Sequence, residues 1–171
     1  VSSEIVEQLS FAQSKLLPLS PPSSWPGISI GVSNSKTLNL SGLYYDFIEL
    51  SEGQFGIVLG ECSSKGVEGI VYTAVFRGAV RALSKQIEDP IQLIKQINQT
   101  LVNDPLDQIF TLSYLILNPN NNSIRYISCG FGNLWLTSFG SQDPQLIHSE
   151  NVGLGIEKDM NVLEVTHGWR T

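Results

Sequence analysis

The sequence predicts an α+β fold with antiparallel sheets. Two observations support this class. The hydrophobic pattern changes from a period of two to a helical period and back again, and segments of each type occur in runs. The order is strands, then two helices, then more strands. Such runs, unlike strict alternation, are typical of antiparallel sheets with helices packed outside them.

Length and composition fit one folded domain with a core. The chain has 171 residues, 42% of them hydrophobic, and 10 basic against 16 acidic residues give a net charge of −6. No Lys/Arg cluster is present, which argues against nucleic-acid binding. No apolar run approaches the roughly 20 residues that span a bilayer, and the N-terminus has no signal pattern. We therefore expect a cytoplasmic protein without membrane contact, with Cys62 and Cys129 as two buried thiols.

The N-terminal region predicts a helix followed by a stiff connector. Ile5, Leu9, Ala12 and Leu16 are spaced to share one helical face, which also fits two short heptads. Four prolines then fall between positions 18 and 26 and end the helix. We expect residues 1–26 to be a linker helix and connector, and residues 27–171 to be the main domain. The helix either packs on its own domain or forms a coiled coil that makes a homodimer.

The main domain begins with a predicted strand and hairpin. Ile28, Ile30 and Val32 alternate with small polar residues, as in a half-buried strand. Segments 40–50 and 54–60 follow, and the loop between them contains a glycine suited to a positive φ angle. These two segments predict a hairpin.

Two helices and a second group of strands complete the prediction. Apolar residues recur every three or four positions over 66–87, which predicts a long, mostly buried helix. Asp89 as N-cap and Pro90 at the first helical position predict another helix, ending near Asn103. Strand patterns then occur at 109–117, 123–128, 134–139, 145–148 and 161–165.

One segment has the chemistry of a cation site. Glu61 ends a predicted strand, and a Gly/Ser-rich turn leads from it into the long helix. A carboxylate there can hold a hard cation, together with water and backbone carbonyls such as that of Cys62. The alternative is an ordinary exposed acid near a helix N-terminus, where negative charge is favourable in any case.

Six segments, taken in order, carry a resemblance to a known family. They are 12–18 (AQSKLLP), 44–50 (YYDFIEL), 60–67 (GECSSKGV), 110–112 (FTL), 128–133 (SCGFGN) and 153–155 (GLG). They are similar, respectively, to A-Q-x-x-L-L-P, G-G-D-Y-Y-D-F, G-D-V-S-G-K-G-V, F-x-T-L, S-A-G-H-N-P and P-L-G. These are motifs of the bacterial SpoIIE/RsbU-type serine phosphatases, within the metal-dependent, protein phosphatase 2C-like superfamily.

The resemblance implies both a fold and an activity. The fold is a β-sandwich of two antiparallel sheets flanked by helices. The activity uses two Mg²⁺ or Mn²⁺ ions held by aspartates at strand ends, and a metal-activated water attacks the phosphorus of a phosphoserine. The usual substrates are small anti-anti-sigma-type proteins in partner-switching circuits.

The departures from the family motifs fall on the metal ligands. Leu43 stands where the family has the aspartate of G-G-D, and Glu61 stands where it has the bridging aspartate. Asp46 is a poor substitute, because an offset of three along a strand puts it on the opposite face, roughly 10 Å away. The chain also ends at Thr171, before the final strand and the T-D-G aspartate of the family.

Two further departures lie at the same site. Ser64 replaces the glycine of the family turn, and Phe131 replaces the histidine of S-A-G-H-N-P. A pair of divalent ions needs several anionic oxygens to offset its dehydration, and one matching carboxylate remains. No residue is therefore assigned a catalytic role.

These departures favour a degenerate phosphatase domain that acts as a regulatory protein-binding module. No cofactor is expected in that case, whereas Mn²⁺ or Mg²⁺, held by Glu61 and possibly Asp46, belongs to the alternative of an active enzyme. The expected partner is a phosphoserine-bearing anti-anti-sigma-type protein. We expect it to contact the edge of the site at Tyr44, Ser63, Lys65 and Gly66. Tyr44 and Phe131 are either exposed contact residues or part of the core.

Overall fold

The computed structural model describes residues 3–18, 20–33, 41–103, 108–130, 132–138, 140 and 143–169. The helices are α1 (Ser3–Leu16), α2 (Gly66–Leu83) and α3 (Pro90–Val102). The strands are β1 (Leu43–Glu49), β2 (Phe55–Cys62), β3 (Phe110–Asn118), β4 (Ser123–Cys129), β5 (Leu134–Leu136), β6 (Gln145–Ile147) and β7 (Val165–Gly168). This order confirms the predicted α+β class.

The strands form two antiparallel sheets. The larger sheet has five strands in the order β1-β2-β3-β4-β7, and β5 pairs with β6 in a separate two-stranded sheet. All neighbouring pairs in the larger sheet are antiparallel. Short turns join β1 to β2 and β3 to β4, whereas α2 and α3 lie between β2 and β3, and β5 and β6 lie between β4 and β7. β7 begins at Val165, so the strand predicted at 161–165 overlaps the observed one by a single residue.

The predicted hairpin is confirmed as β1 and β2. A short 3₁₀ turn at Ser51–Gly53 joins the two strands, and Gly53 has a φ of +70° there. Glycine adopts this left-handed conformation without the steric cost that a Cβ brings. The loop chemistry therefore fixes the register in which Leu43 lies opposite Glu61.

The core lies where α2 and α3 pack against one face of the larger sheet. Its largest fully buried side chains are Tyr44, Phe76, Phe110, Leu93, Ile94 and Ile97. The Phe76 and Phe110 rings stack at 4.4 Å, and Tyr44 meets Phe76 edge to face at 5.8 Å. α3 starts as predicted, because the Asp89 side chain accepts a hydrogen bond from the Gln92 N–H.

α2 differs from its prediction in burial. We expected a mostly buried helix, but one face carries the buried residues Ile70, Thr73, Phe76 and Val80, together with Gly69. The opposite face is exposed although it is apolar. The three-to-four spacing continues around more of the helix than the sheet covers, so periodicity alone overstated the burial.

The strand predicted at Ile28–Val32 is not observed. Residues 28–33 have no strand pairing, although their apolar side chains alternate. Alternation identifies a segment that suits a sheet, but a strand also needs a neighbouring strand to accept its backbone hydrogen bonds. Among the residues described, none pairs with this segment.

The connector is held on the other face of the larger sheet. Trp25 is buried there, stacked on Phe55 at 4.5 Å and edge to face with Phe47 at 6.0 Å. The Tyr45 hydroxyl also donates a hydrogen bond to the Pro18 carbonyl at 3.4 Å. The domain boundary placed at residue 26 stays a prediction.

α1 contacts α2 but buries none of its side chains fully. Its half-buried side chains include Val6, Leu9, Gln13 and Leu16, whereas Ile5 and Ala12 are exposed. The predicted face is therefore rotated relative to the observed one. Within the described ranges, no helix is both long and apolar enough to cross a membrane.

Candidate functional site

The site predicted from the sequence lies at one end of the larger sheet. Leu43 on β1 pairs with Glu61 on β2, and Glu61 pairs with Thr111 on β3. Side chains directly opposite each other on neighbouring strands share one face of the sheet. Glu61 is exposed, and it is the one carboxylate in this row of three. The aliphatic Leu43 offers no ligand atom to a cation.

The backbone around this row is packed too closely for a side chain at residue 42. The Cys62 N–H donates to the Gly42 carbonyl at 3.0 Å, and the Thr73 hydroxyl of α2 donates to the same oxygen at 3.1 Å. A Cβ at position 42 would lie 2.6 Å from the Cβ of Cys62. Only glycine fits this contact, which fixes β1, β2 and α2 relative to one another.

The turn between β2 and α2 is held by Gln108, a residue that the sequence did not identify. Its side-chain oxygen accepts a hydrogen bond from the Ser64 hydroxyl at 2.7 Å and a longer one from the Ser63 hydroxyl at 3.4 Å. Ser64, which stands where the family motif has a glycine, thus connects the turn to the segment before β3 through this hydrogen bond. Gln108 lies 44 residues away in sequence, so no local pattern pointed to it.

The start of α2 adds a second carboxylate whose charge, like that of Glu61, acts on Cys62. Glu68 lies in the first turn of the helix, where it accepts a 3.4 Å hydrogen bond from the Ser64 hydroxyl. Burial raises the pKa of the Cys62 thiol, and the negative charges of Glu68 and Glu61 raise it further. Lys65 and Ser63 are exposed on the same turn, and Gly66 begins the helix with a φ of +68°.

Asp46 lies on the opposite face of β1 and is committed to other partners. It is 1% exposed, and both of its oxygens accept hydrogen bonds from the Arg81 guanidinium of α2. The Tyr44 hydroxyl and the Phe47 N–H donate to it at 2.8 and 2.9 Å. Burial alone would raise the pKa of Asp46, but these hydrogen bonds outweigh it and hold the pKa below its ordinary value.

The residues of the site do not fit a pair of divalent ions. No group of three or more His, Cys, Asp or Glu side chains is close enough to hold a metal ion within the part of the chain that the structure describes. Two ions need several anionic oxygens, and among the described residues the carboxylates that we find at this end of the sheet are those of Glu61 and Glu68. The Cys62 carbonyl remains a candidate third donor beside Glu61, whereas Asp46 is held away by Arg81.

One predicted partner contact needs correction. Tyr44 was expected either as an exposed contact residue or as a core residue, and its side chain is fully buried against Phe76. Its hydroxyl donates a hydrogen bond to the Asp46 carboxylate. Burial is the main reason that the pKa of the Tyr44 phenol is raised far above its ordinary value. Tyr44 therefore does not reach the surface. Phe131 lies outside the described residues.

Solved structures resemble this fold. The SiaA-PP2C domain of Pseudomonas aeruginosa matches with a TM-score of 0.72 at 17% identity, over 95% of this chain and 67% of that chain. The PP2C phosphatase domain of SpoIIE from Bacillus subtilis, solved with a fragment of its regulatory domain, gives 0.63 at 15% identity, over 75% of this chain and 37% of that chain. The RsbU and RsbW domains of Rv1364c from Mycobacterium tuberculosis give 0.62 at 16% identity, over 78% and 37%.

These likenesses establish the fold, since all of the identities are low. The chain spans between 37% and 67% of the length of these three solved chains. No curated protein matches the chain in sequence. The sequence profile of the family described as Stage II sporulation protein E (SpoIIE), however, matches residues 51–170, which is most of the chain. The chain therefore belongs to the SpoIIE family, and its fold is that of the protein phosphatase 2C-like domains.

Proposed function

We propose that this domain is a degenerate member of its family, which binds a regulatory protein of a bacterial partner-switching pathway with little or no hydrolysis. The observation that carries the proposal is the pairing of Leu43 with Glu61. An aliphatic side chain occupies the place where the family motif has a metal-binding aspartate. The nearest carboxylate along β1, that of Asp46, faces the core and is neutralised by Arg81.

The proposed contact surface is the turn from Ser63 to Gly66, at the start of α2. Ser63 and Lys65 are exposed there. The first N–H groups of a helix point outward and carry a partial positive charge, so they favour an anionic group such as a phosphate. Lys65 adds a full positive charge at the same end, and the carboxylates of Glu61 and Glu68 add negative charges there, so the contact depends on the helix N–H groups and Lys65 and not on the net charge of this end. This arrangement supports a phosphoserine-bearing, anti-anti-sigma-type protein as the partner.

Metal binding is the most direct test of the degenerate site. We expect calorimetric titration of the chain with Mn²⁺ to show no tight binding of two ions. Glu61→Gln is the matched control, because it removes the charge of the one carboxylate in the row while keeping its shape. Tight binding of two ions per chain, lost in Glu61→Gln, would contradict the proposal.

The alternative function is an active, Mn²⁺- or Mg²⁺-dependent protein serine/threonine phosphatase. The exposure of Glu61 and the position of Glu68 in the first turn of α2 favour it, since both carboxylates lie close enough to Cys62 to raise the pKa of its thiol and could share one cation. Turnover of p-nitrophenyl phosphate that disappears in Glu61→Ala would support this alternative. Glu52→Ala is the control, because Glu52 is an exposed acid at the other end of the hairpin.

Partner binding is tested with an anti-anti-sigma-type protein in its phosphorylated and unphosphorylated forms. We expect the phosphorylated form to bind more tightly, and Lys65→Glu to weaken that binding at least tenfold. Lys85→Glu makes the same charge change beyond the other end of α2 and is expected to have no effect. Equal weakening by both variants would show that net charge, and not the turn, determines the affinity.

A further inference from the structure

A cleft lies at the end of the larger sheet that is opposite Leu43 and Glu61. It opens between the turn of the β1–β2 hairpin, the C-terminal end of α2 and the start of α3, and its volume is about 440 Å³. This volume is in the size range of small-molecule sites. Leu50 and Ile116 contribute aliphatic surface to its wall. We call it the hairpin cleft.

Acidic side chains predominate in the wall of the hairpin cleft, which contains Glu49, Glu52, Glu88 and Asp89 against Lys85 and Arg125. The charge of Arg125 is already balanced, because its guanidinium lies 2.8 Å from Glu164 and 3.5 Å from Asp89. The three glutamates form no ion pair with any residue that the structure describes. They outnumber the lysine, so the cleft favours a cationic ligand.

The helix ends at the cleft agree with this preference. The C-terminal end of α2, at Leu83, carries a partial negative charge that attracts cations. The N-terminal end of α3 carries the opposite partial charge, but the Asp89 side chain caps it by accepting a hydrogen bond from the Gln92 N–H at 3.3 Å. The positive helix end is therefore not free to attract an anion into the cleft.

Ser84 places an unpartnered polar group in the same wall. It directly follows α2 and is only 7% exposed. Its hydroxyl has no hydrogen-bond partner among the described residues. A buried hydroxyl without a partner costs stability, and most such groups in native proteins are paired. A hydrogen-bonding ligand in the cleft would supply the missing partner.

The carboxylates of the cleft are not grouped for a metal ion. Within the ranges that the structure describes, no set of three or more His, Cys, Asp or Glu side chains is placed to hold one. A flexible chain with several cationic groups can reach carboxylates that stand apart, whereas a single ion cannot. The methylene groups between its charges also suit the aliphatic surface of Leu50 and Ile116.

We propose that the hairpin cleft binds a linear aliphatic polyamine. Its ammonium groups pair with Glu49 and Glu88, and its methylene chain packs on Leu50 and Ile116. The Ser84 hydroxyl accepts a hydrogen bond from an ammonium group, which has donors and no acceptor. This site is separate from the row of Leu43 and Glu61 and does not depend on the function proposed for that end of the sheet.

Calorimetric titration of the chain with spermidine at low ionic strength tests the site. We expect one spermidine per chain, and a dissociation constant about tenfold higher or more in the double variant Glu49→Gln and Glu88→Gln. Lys85→Gln, which removes the competing positive charge, should bind more tightly. Glu157→Gln is the matched control, because this exposed acid lies outside the wall of the cleft. Absence of binding, or equal weakening by the control, would overturn the proposal.

Ser84→Ala separates a ligand contact from a structural role. The hydroxyl has no partner in the protein, so its removal should leave the free energy of unfolding unchanged or slightly higher. The dissociation constant of spermidine should nevertheless rise about threefold or more, because the ligand loses a hydrogen bond. A variant that is less stable but binds spermidine as tightly as the wild type would contradict the contact.

Competing cations identify the chemistry of the ligand. Mg²⁺ at the same concentration should not displace spermidine, because the carboxylates are not grouped around one point. Displacement by Mg²⁺ would show that charge alone determines binding and would overturn the proposal. A trilysine peptide carries similar charges on a bulkier backbone, and we expect it to bind more weakly than spermidine. Tighter binding of the peptide would assign the cleft to a basic protein segment and overturn the choice of a free polyamine.

Discussion

Arg81 and Asp46 form a two-pronged ion pair that joins α2 to β1. The Nε and Nη2 atoms of Arg81 each donate to a different carboxylate oxygen, the second at 2.7 Å. The carboxylate is almost completely buried, whereas the arginine side chain is about half exposed. The pair holds Asp46, the acid nearest to Leu43 in sequence, on the core face of β1 and away from the row of Leu43 and Glu61. It also fixes α2, whose first turn lies beside that row.

Loss of Arg81 should destabilise the fold more than loss of an ordinary surface cation. Arg81→Met would leave a buried, uncompensated carboxylate, for which a cost of about 3–5 kcal/mol is typical. Because Arg81 is half exposed and water can partly replace it, we expect about 2–3 kcal/mol by urea unfolding. Lys85→Met, the control at an exposed position, should change the free energy by less than about 0.5 kcal/mol. Similar effects of the two variants would show that the pair contributes little.

Asp46 should also make the stability fall in acid. The folded state holds its pKa below the ordinary value of 3.8. Its ionised form therefore contributes stability above about pH 4, and this contribution is lost as the pH falls through the folded-state pKa. We expect the free energy of unfolding of Asp46→Asn to depend less steeply on pH below about pH 4 than that of the wild type. Parallel curves in urea titrations at several pH values would contradict this.

The two thiols should be unreactive in the folded protein. Cys129 is completely buried, and burial raises the pKa of its thiol to about 12. The thiolate is the reactive species, so little of it forms near neutral pH, and reagent access is blocked as well. We expect Ellman's reagent to modify neither Cys62 nor Cys129 until a denaturant is added. Rapid modification of the native chain would show that the core opens readily.

The sequence predicted the fold well where local chemistry determines it. The hairpin follows from a glycine loop between two alternating segments, and α3 follows from Asp89 and Pro90 at its start. The prediction of a strand at residues 28–32 was wrong, because strand pairing depends on a distant strand and not on the segment's own pattern. The burial of α2 was overstated for a similar reason, since a helical period does not tell how much of the helix is covered.

At the site, the sequence identified residues but not their distant partners. The pairing of Leu43 with Glu61 follows from the register of the β1–β2 hairpin, so it could be predicted from the sequence. The position of Asp46 on the other face followed from its offset of three. Its partner Arg81 is 35 residues away, and Gln108 is 44 residues from Ser64. Such contacts are set by the packing of whole elements, which no local motif encodes.

Gly42 should tolerate no side chain. A Cβ there would lie 2.6 Å from the Cβ of Cys62 and 2.8 Å from its carbonyl oxygen, so β1 or β2 would have to move. We expect Gly42→Ala to destabilise the fold by about 1–3 kcal/mol, as measured by urea unfolding. Gly31→Ala is the matched control, because no described atom lies within 4 Å of its added Cβ. An unchanged stability of Gly42→Ala would show that this end of the sheet is loosely packed.

Restoring the family carboxylates should restore metal binding. In the double variant Leu43→Asp and Glu61→Asp, two carboxylates occupy a directly paired position, where Cβ atoms lie about 4.5–5.5 Å apart. Their mutual repulsion should lower the melting temperature without metal. Mn²⁺ should then raise it, because a ligand that binds only the folded state stabilises by about 2.7 kcal/mol at a hundredfold excess over its dissociation constant.

The isosteric pair Leu43→Asn and Glu61→Gln separates charge from shape in this experiment. It keeps polar side chains of similar size but carries no negative charge, so Mn²⁺ should leave its melting temperature unchanged. The same should hold for the wild-type chain, in which Leu43 provides no oxygen. Mn²⁺ could instead raise the melting temperature of the wild type as much as that of the double aspartate variant. In that case, the presence of leucine instead of aspartate at position 43 would not be what limits metal binding at this site.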